Sequence, residues 1–206
     1  AVIIPLLYSS TVHAPFNFDD EVVIKFEVAQ KTTGDLYSNL YPPRYRHLFY
    51  SSLIFNYSKG KLNPFGYHLV NITLHIFTSI VIFFIAFFTA QKSLSLERKE
   101  ALSIASITTL LFSINPIQSE TVNYISARAT GMSSFFYLAA LLSFILGSFR
   151  KQKPGPRFLL YLLSLVCFLA SILCKETALT FPAALLLYDV CFMRNEYCTS
   201  LKNRLL

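Results

Sequence analysis

The sequence predicts an all-α, polytopic membrane helical bundle with a large first outer loop. Three observations carry this. Hydrophobic residues fill 54% of the 206 positions and charged ones only 14%, against ~25% charged in an average soluble domain. Apolar runs near the ~20 residues that cross a bilayer as a helix recur along the chain. Basic residues gather beside the ends of these runs instead of on one face. This pattern excludes disorder and argues against a soluble enzyme, whose surface 18 basic and 11 acidic residues would not cover. It also accounts for the net charge of +7 as membrane topology, with no nucleic acid as partner.

The first apolar run, about residues 1–9, is too short to span and has neither the basic flank nor the cleavage site of a signal peptide. It reads as the end of a spanning helix whose beginning is missing. A first outer loop, residues 10–66, follows. After Pro42-Pro43, the stretch Arg44 to Tyr57 places Tyr45, Leu48, Phe49 and Leu53 mainly on one helical face. Such a helix either lies in the membrane interface or packs on the bundle as a connecting element. Further spans are expected at about 67–90, 101–114, 132–149, 158–174 and 177–193, with no soluble domain and no internal repeat.

Orientation follows from positive charge. Lys92, Arg98 and Lys99, then Arg150, Lys151, Lys153 and Arg157, then Arg194, Lys202 and Arg204 all fall on one side, which should be cytoplasmic. The first loop, the loop of residues 115–131 and the Lys175-Glu176 junction then face outward. In a bacterial inner membrane that side is the periplasm. Cys167, Cys174, Cys191 and Cys198 form no CxxC and have no histidine nearby. They read as small packing residues, not as a zinc site or a disulfide framework.

Four groups could carry chemistry. The acidic cluster Asp19-Asp20-Glu21 sits between aromatics where the first apolar run ends; such carboxylates either act as a general base toward a hydroxyl, hold a divalent cation, or are simply solvated. His68, Asn71 and His75, spaced i, i+3, i+7, share one face of a spanning helix, for interhelical hydrogen bonds or a wet cavity. Two histidines without a third ligand give little support to a metal site. Glu120 and Arg128 are the charges of the second outer loop; Arg128 could hold a phosphate bidentately or pair with Glu120. Lys175-Glu176 places two charges at a tight outer turn, as an ion pair or a contact to a lipid-linked phosphate. No Walker loop, GxSxG, HExxH or Rossmann glycine pattern occurs, so a donor present in the membrane, such as a lipid phosphate, is the natural reactant.

The ordered motifs FNFDDE, YRHL, LNPFGYHLVNITLH, NPIQSETVNYISAR and CKETALTFPAALLLYD resemble the membrane part of the tetratricopeptide-repeat-containing GT-C glycosyltransferase-like proteins. Animal members are the transmembrane and tetratricopeptide-repeat O-mannosyltransferases; the Pro-Ile-Gln-Ser and Val-Asn-Tyr-Ile-Ser pattern is closer to the bacterial group. The resemblance covers nearly the whole chain. It implies a GT-C fold and transfer of a sugar from a polyprenyl-phosphate carrier to a hydroxyl acceptor, protein Ser or Thr among them, outside the cytoplasm. It further implies that Asp19 or Asp20, with Asp20 favoured, is the base. Arg46, Glu120, Arg128, Lys175 and Glu176 would bind the carrier phosphate and order the loop, with His68 and His75 as further substrate contacts. The chain departs from the family pattern at Asn115, usually His, at His47, usually Pro, and at Thr130, where many members have Asp. Those departures suit the rival reading, a non-catalytic scaffold or lipid-phosphate-binding protein of the same fold. A transporter is the third reading, set back by the scarcity of charge within the spans.

Overall fold

The computed structural model describes residues 3–24, 46–149 and 154–193. Tyr45, Arg150, Lys151, Lys153, Arg194, Lys202, Arg204 and Cys198, used in the reading above, lie outside them. The described elements are helical throughout: α1 (Ile3–Leu7), a 3-10 turn (Ser9–His13), α2 (Asp19–Glu21), α3 (His47–Gly60), α4 (Pro64–Phe88), α5 (Arg98–Ile114), α6 (Gln118–Asn123), α7 (Arg128–Phe149), α8 (Pro154–Cys174) and α9 (Phe181–Tyr188). A 3-10 turn (Glu176–Thr180) precedes α9 and a π-turn (Asp189–Met193) extends it.

Among the described residues, four stretches are long and apolar enough to cross a membrane: Pro64–Ser93, Arg128–Phe149, Gly155–Cys174 and Glu176–Met193. The 25 residues of α4 rise ~38 Å at ~1.5 Å each, more than the ~30 Å hydrocarbon core. The other two expected spans are shorter as helices. The first run folds as α1, five residues long, and then turns; α5 has 17 residues and packs along α4.

Local chemistry sets the helix ends. Asn63 accepts the Phe65 N–H at 3.0 Å and Pro64 opens α4, pairing a side-chain cap with a residue whose missing N–H costs nothing there. Glu97 and Glu100 form a reciprocal capping box at the start of α5. That helix stops before Pro116, where Asn115 turns the chain by accepting the Ile117 N–H.

α7 and α8 form the most extensive helix pair, and small residues let them approach closely. Ser171 donates to the Ser133 carbonyl at 2.8 Å, and Ser164 to that of Ala140 at 2.8 Å. A side chain at Gly147 would meet the Tyr161 ring at 2.8 Å. Cys174 is buried nearby, as a packing cysteine should be, whereas Cys191 is exposed and has no such role.

α3 packs on the bundle: Phe49 and Leu53 join Ile24, Tyr67, Ile125 and Ala129 in a buried cluster. The start of α4, the ends of α5 and α8, α6 and the start of α7 thereby meet at one end with the first-loop segment. Lys92, just beyond α4, and Arg98, Lys99 and Arg157, at the starts of α5 and α8, lie at the other end.

Candidate functional site

The charged end is organised around two buried ions. Asp20 is 1% exposed. Its Oδ1 accepts the Ser126 N–H and hydroxyl, both at 2.7 Å, and its Oδ2 accepts the Ile125 N–H at 3.2 Å and the Asn17 N–H at 3.5 Å. A carboxylate offers about four lone-pair sites, and all are taken. Asp20, favoured from the sequence as the base, fastens the first loop to the turn before α7.

Arg128 is the second ion, at 0% exposure. Its Nε donates to Asn71 Oδ1 at 2.8 Å, Nη1 to Asn56 Oδ1 at 2.6 Å and Ser52 Oγ at 3.3 Å, and Nη2 to the Tyr67 carbonyl at 2.9 Å. The guanidinium therefore ties α3, α4 and α7 together through neutral acceptors. It pairs neither with Glu120, as the sequence allowed, nor is it open to an entering phosphate. Asn71 passes the connection on, donating to the carbonyls of Val122 at 3.2 Å and Tyr124 at 3.3 Å. The partners Ser52, Asn56 and Tyr67 were not singled out from sequence.

The two histidines are structural in the same sense. Carbonyls only accept, so the bonds of His68 Nε2 to Ala14 O (3.1 Å) and His75 Nε2 to Ser113 O (3.3 Å) place a proton on each Nε2. Both rings are buried, on the shared face that the spacing predicts.

What remains accessible is a cleft of about 630 Å³ lined by Asn17, Phe18, Asp19, Ser119, Glu120, Asn123 and Tyr124. Asp19 and Glu120 are exposed there, in contrast to Asp20. The Tyr124 phenol is raised above its ordinary 10.0 by burial and by its hydrogen bond to the Asp19 carboxylate. Phe18 holds φ 49° while 89% exposed; a bulky residue seldom adopts positive φ, and here it presents a ring beside Asp19. Thr11 anchors the far wall through Asn123 at 3.1 Å.

At the same end, Arg46 grips Glu176 with two bonds, at 2.9 and 3.4 Å. Glu176 thus gives its hydrogen bonds to Arg46, while the ammonium of its neighbour Lys175, which also acts on that carboxylate through space, donates to Thr130 Oγ1 at 2.8 Å. Thr130 is the position where the resemblance expects Asp. A neutral hydroxyl there leaves the Lys175 charge uncompensated by its hydrogen-bond partner. Among the described residues, no three His, Cys, Asp or Glu side chains converge as a metal site would require.

A polytopic, all-α integral membrane protein with buried ions and an open acidic cleft at one end is the class these features define. The chain is 32% identical to human protein O-mannosyl-transferase TMTC3 over 148 residues, 71% of this chain and 15% of that protein. Drosophila melanogaster protein O-mannosyl-transferase Tmtc1 is 33% identical over 147 residues, 71% of this chain and 15% of that one. Human protein O-mannosyl-transferase TMTC2 is 30% identical over 197 residues, 89% of this chain and 22% of that one. The chain is therefore related to the transmembrane and tetratricopeptide-repeat O-mannosyl-transferases, and spans less than a quarter of the length of these three. No protein-family model and no solved structure matches it.

Proposed function

We propose that this chain is part of a GT-C membrane glycosyltransferase. It would transfer a sugar, mannose in keeping with the names of its relatives, from a polyprenyl-phosphate carrier to a hydroxyl acceptor such as protein Ser or Thr. The reaction face is the end bearing Asp19 and Lys175, opposite the basic turns; in a bacterial inner membrane it is periplasmic. One observation supports this above the rest: an exposed carboxylate and an ammonium whose hydrogen bond goes to a neutral hydroxyl occur at one end of the bundle.

Asp19 takes the proton of the acceptor hydroxyl as its oxygen attacks the anomeric carbon. The bond from that carbon to the carrier phosphate breaks, and the phosphate leaves with the electron pair. Lys175 stabilises the charge that develops on it. A single displacement of this kind inverts the anomeric configuration. Asp20 and Arg128 position the cleft without touching substrate, and Arg46 takes up the Glu176 carboxylate.

The test is transfer from polyprenyl-phosphate mannose by the full-length protein in lipid. Asp19→Asn should lower turnover by ~10²–10⁴-fold with carrier binding retained. Unchanged turnover in Asp19→Asn overturns the assignment, and carrier binding by the wild type without any turnover replaces it with the non-catalytic reading.

A further inference from the structure

Across α6 from Asp19 lies a second cavity, of about 190 Å³, between α4, α5, α6 and α7. Gln118, Thr121 and Ser134 line it, and their side chains form no hydrogen bond among the described residues. His75 also lines it; with its proton on Nε2, its Nδ1 keeps an accepting lone pair. Phe112 adds an aromatic face, and the cation of Arg128 is already engaged by neutral acceptors. No carboxylate among the described residues borders the space.

Lipid tails offer such groups nothing, and bare polar groups among apolar helices are costly. The cavity must therefore be wet or filled. At about 190 Å³ it lies well above the ~10–15 Å³ that a single water needs, room for several waters or for a small polar ligand. An amide, two hydroxyls and an imidazole acceptor around an aromatic wall match a ring of alternating donors and acceptors with C–H faces. Four of the five N–H groups of Arg128 are spent on Asn71, Asn56, Ser52 and the Tyr67 carbonyl, so the groups left to contact a ligand are mainly neutral.

We infer that this cavity is a recognition site for a neutral monosaccharide unit. The inference rests on the sugar-transfer reading for the identity of the polyol. Because α6 separates the cavity from Asp19, the site is one of recognition and not of bond-making.

The test is saturation-transfer NMR on the full-length protein in detergent, with methyl α-D-mannopyranoside as probe. The wild type and Asp19→Asn should both transfer saturation to the ring protons. Gln118→Leu and Thr121→Val should reduce it at least several-fold, with unchanged thermal unfolding. Ser134→Leu, which narrows the cavity without removing a hydrogen bond of the fold, should do the same if either of the others fails to fold. Equal saturation in the wild type and these variants, or none in the wild type, overturns the inference. Persistent sugar transfer by Asp19→Asn would overturn the catalytic reading alone.

Discussion

Ser126 gives Asp20 both its backbone N–H and its hydroxyl, each at 2.7 Å, across 106 positions of sequence. Hydrogen bonds to a charged group are worth ~1.5–3 kcal/mol, and a buried donor left without a partner costs ~1–3 kcal/mol. Asp20→Ala should therefore lower stability by about 3 kcal/mol and Ser126→Ala by about half as much, read as thermal unfolding in detergent. A neutral result for Asp20→Ala would remove the latch.

Arg128 and Arg46 should respond differently to the same substitution. Arg128→Lys loses the planar fork that reaches Asn71, Asn56 and Tyr67 at once, leaving buried acceptors at ~1–3 kcal/mol each. Arg46→Lys weakens a half-exposed pair worth ~0.2–1 kcal/mol. Urea titration of both variants should give the larger loss for Arg128→Lys; equal losses would mean that the buried guanidinium is not the tie between α3, α4 and α7.

Lys175→Gln keeps a donor for Thr130 while removing the charge. If Lys175 meets the carrier phosphate, KM for the donor should rise about tenfold or more, the equivalent of ~1.4 kcal/mol. Thr130→Asp should produce a similar rise by neutralising the ammonium in place. Donor-dependence curves check both.

The raised Tyr124 phenol has a pH consequence. The folded protein favours the neutral form, so this contribution to stability is complete below pH 10 and is lost as pH rises through the elevated folded value. Tyr124→Phe removes the titration and should flatten the decline of stability above pH 10. Parallel declines in unfolding experiments would show that Tyr124 plays no part.

Sidedness can be read by labelling. With the native cysteines replaced, a reagent confined to the outside should modify Glu120→Cys and leave Lys99→Cys untouched. The reverse result inverts the orientation taken from the basic turns.

The sequence made the α4, α7 and α8 spans legible because apolar runs are local signals; the Asn63-Pro64 cap that starts α4 three residues earlier was not read from it. It also identified the shared face of His68, Asn71 and His75, since 3.6-residue periodicity needs no knowledge of partners. It could not separate Asp19 from Asp20. Adjacent and chemically identical, they differ only in which one meets donors a hundred residues away. The partners of Arg128 were equally hidden: Asn56 and Ser52 sit on a loop helix whose docking depends on Phe49 and Leu53 reaching the core. Glu120 was within reach of Arg128 in sequence, yet it lies on the opposite side of α6 from the inner cavity that Arg128 lines.

α6 has no idle side. Gln118, Thr121 and Val122 face the inner cavity, while Ser119, Glu120 and Asn123 face the cleft. Thr121 also packs so closely that a side chain at Gly131 would come within 3.3 Å of it. Each residue of a helix turns the chain by ~100°. Adding or deleting one residue here would swing the helix by that angle and mix the linings of the two compartments, even with every side chain intact. The spacing between Asn115 and Arg128 is thus as much a determinant of chemistry as the side chains it carries, and loop-length variants here should fail in ways that no point substitution reproduces.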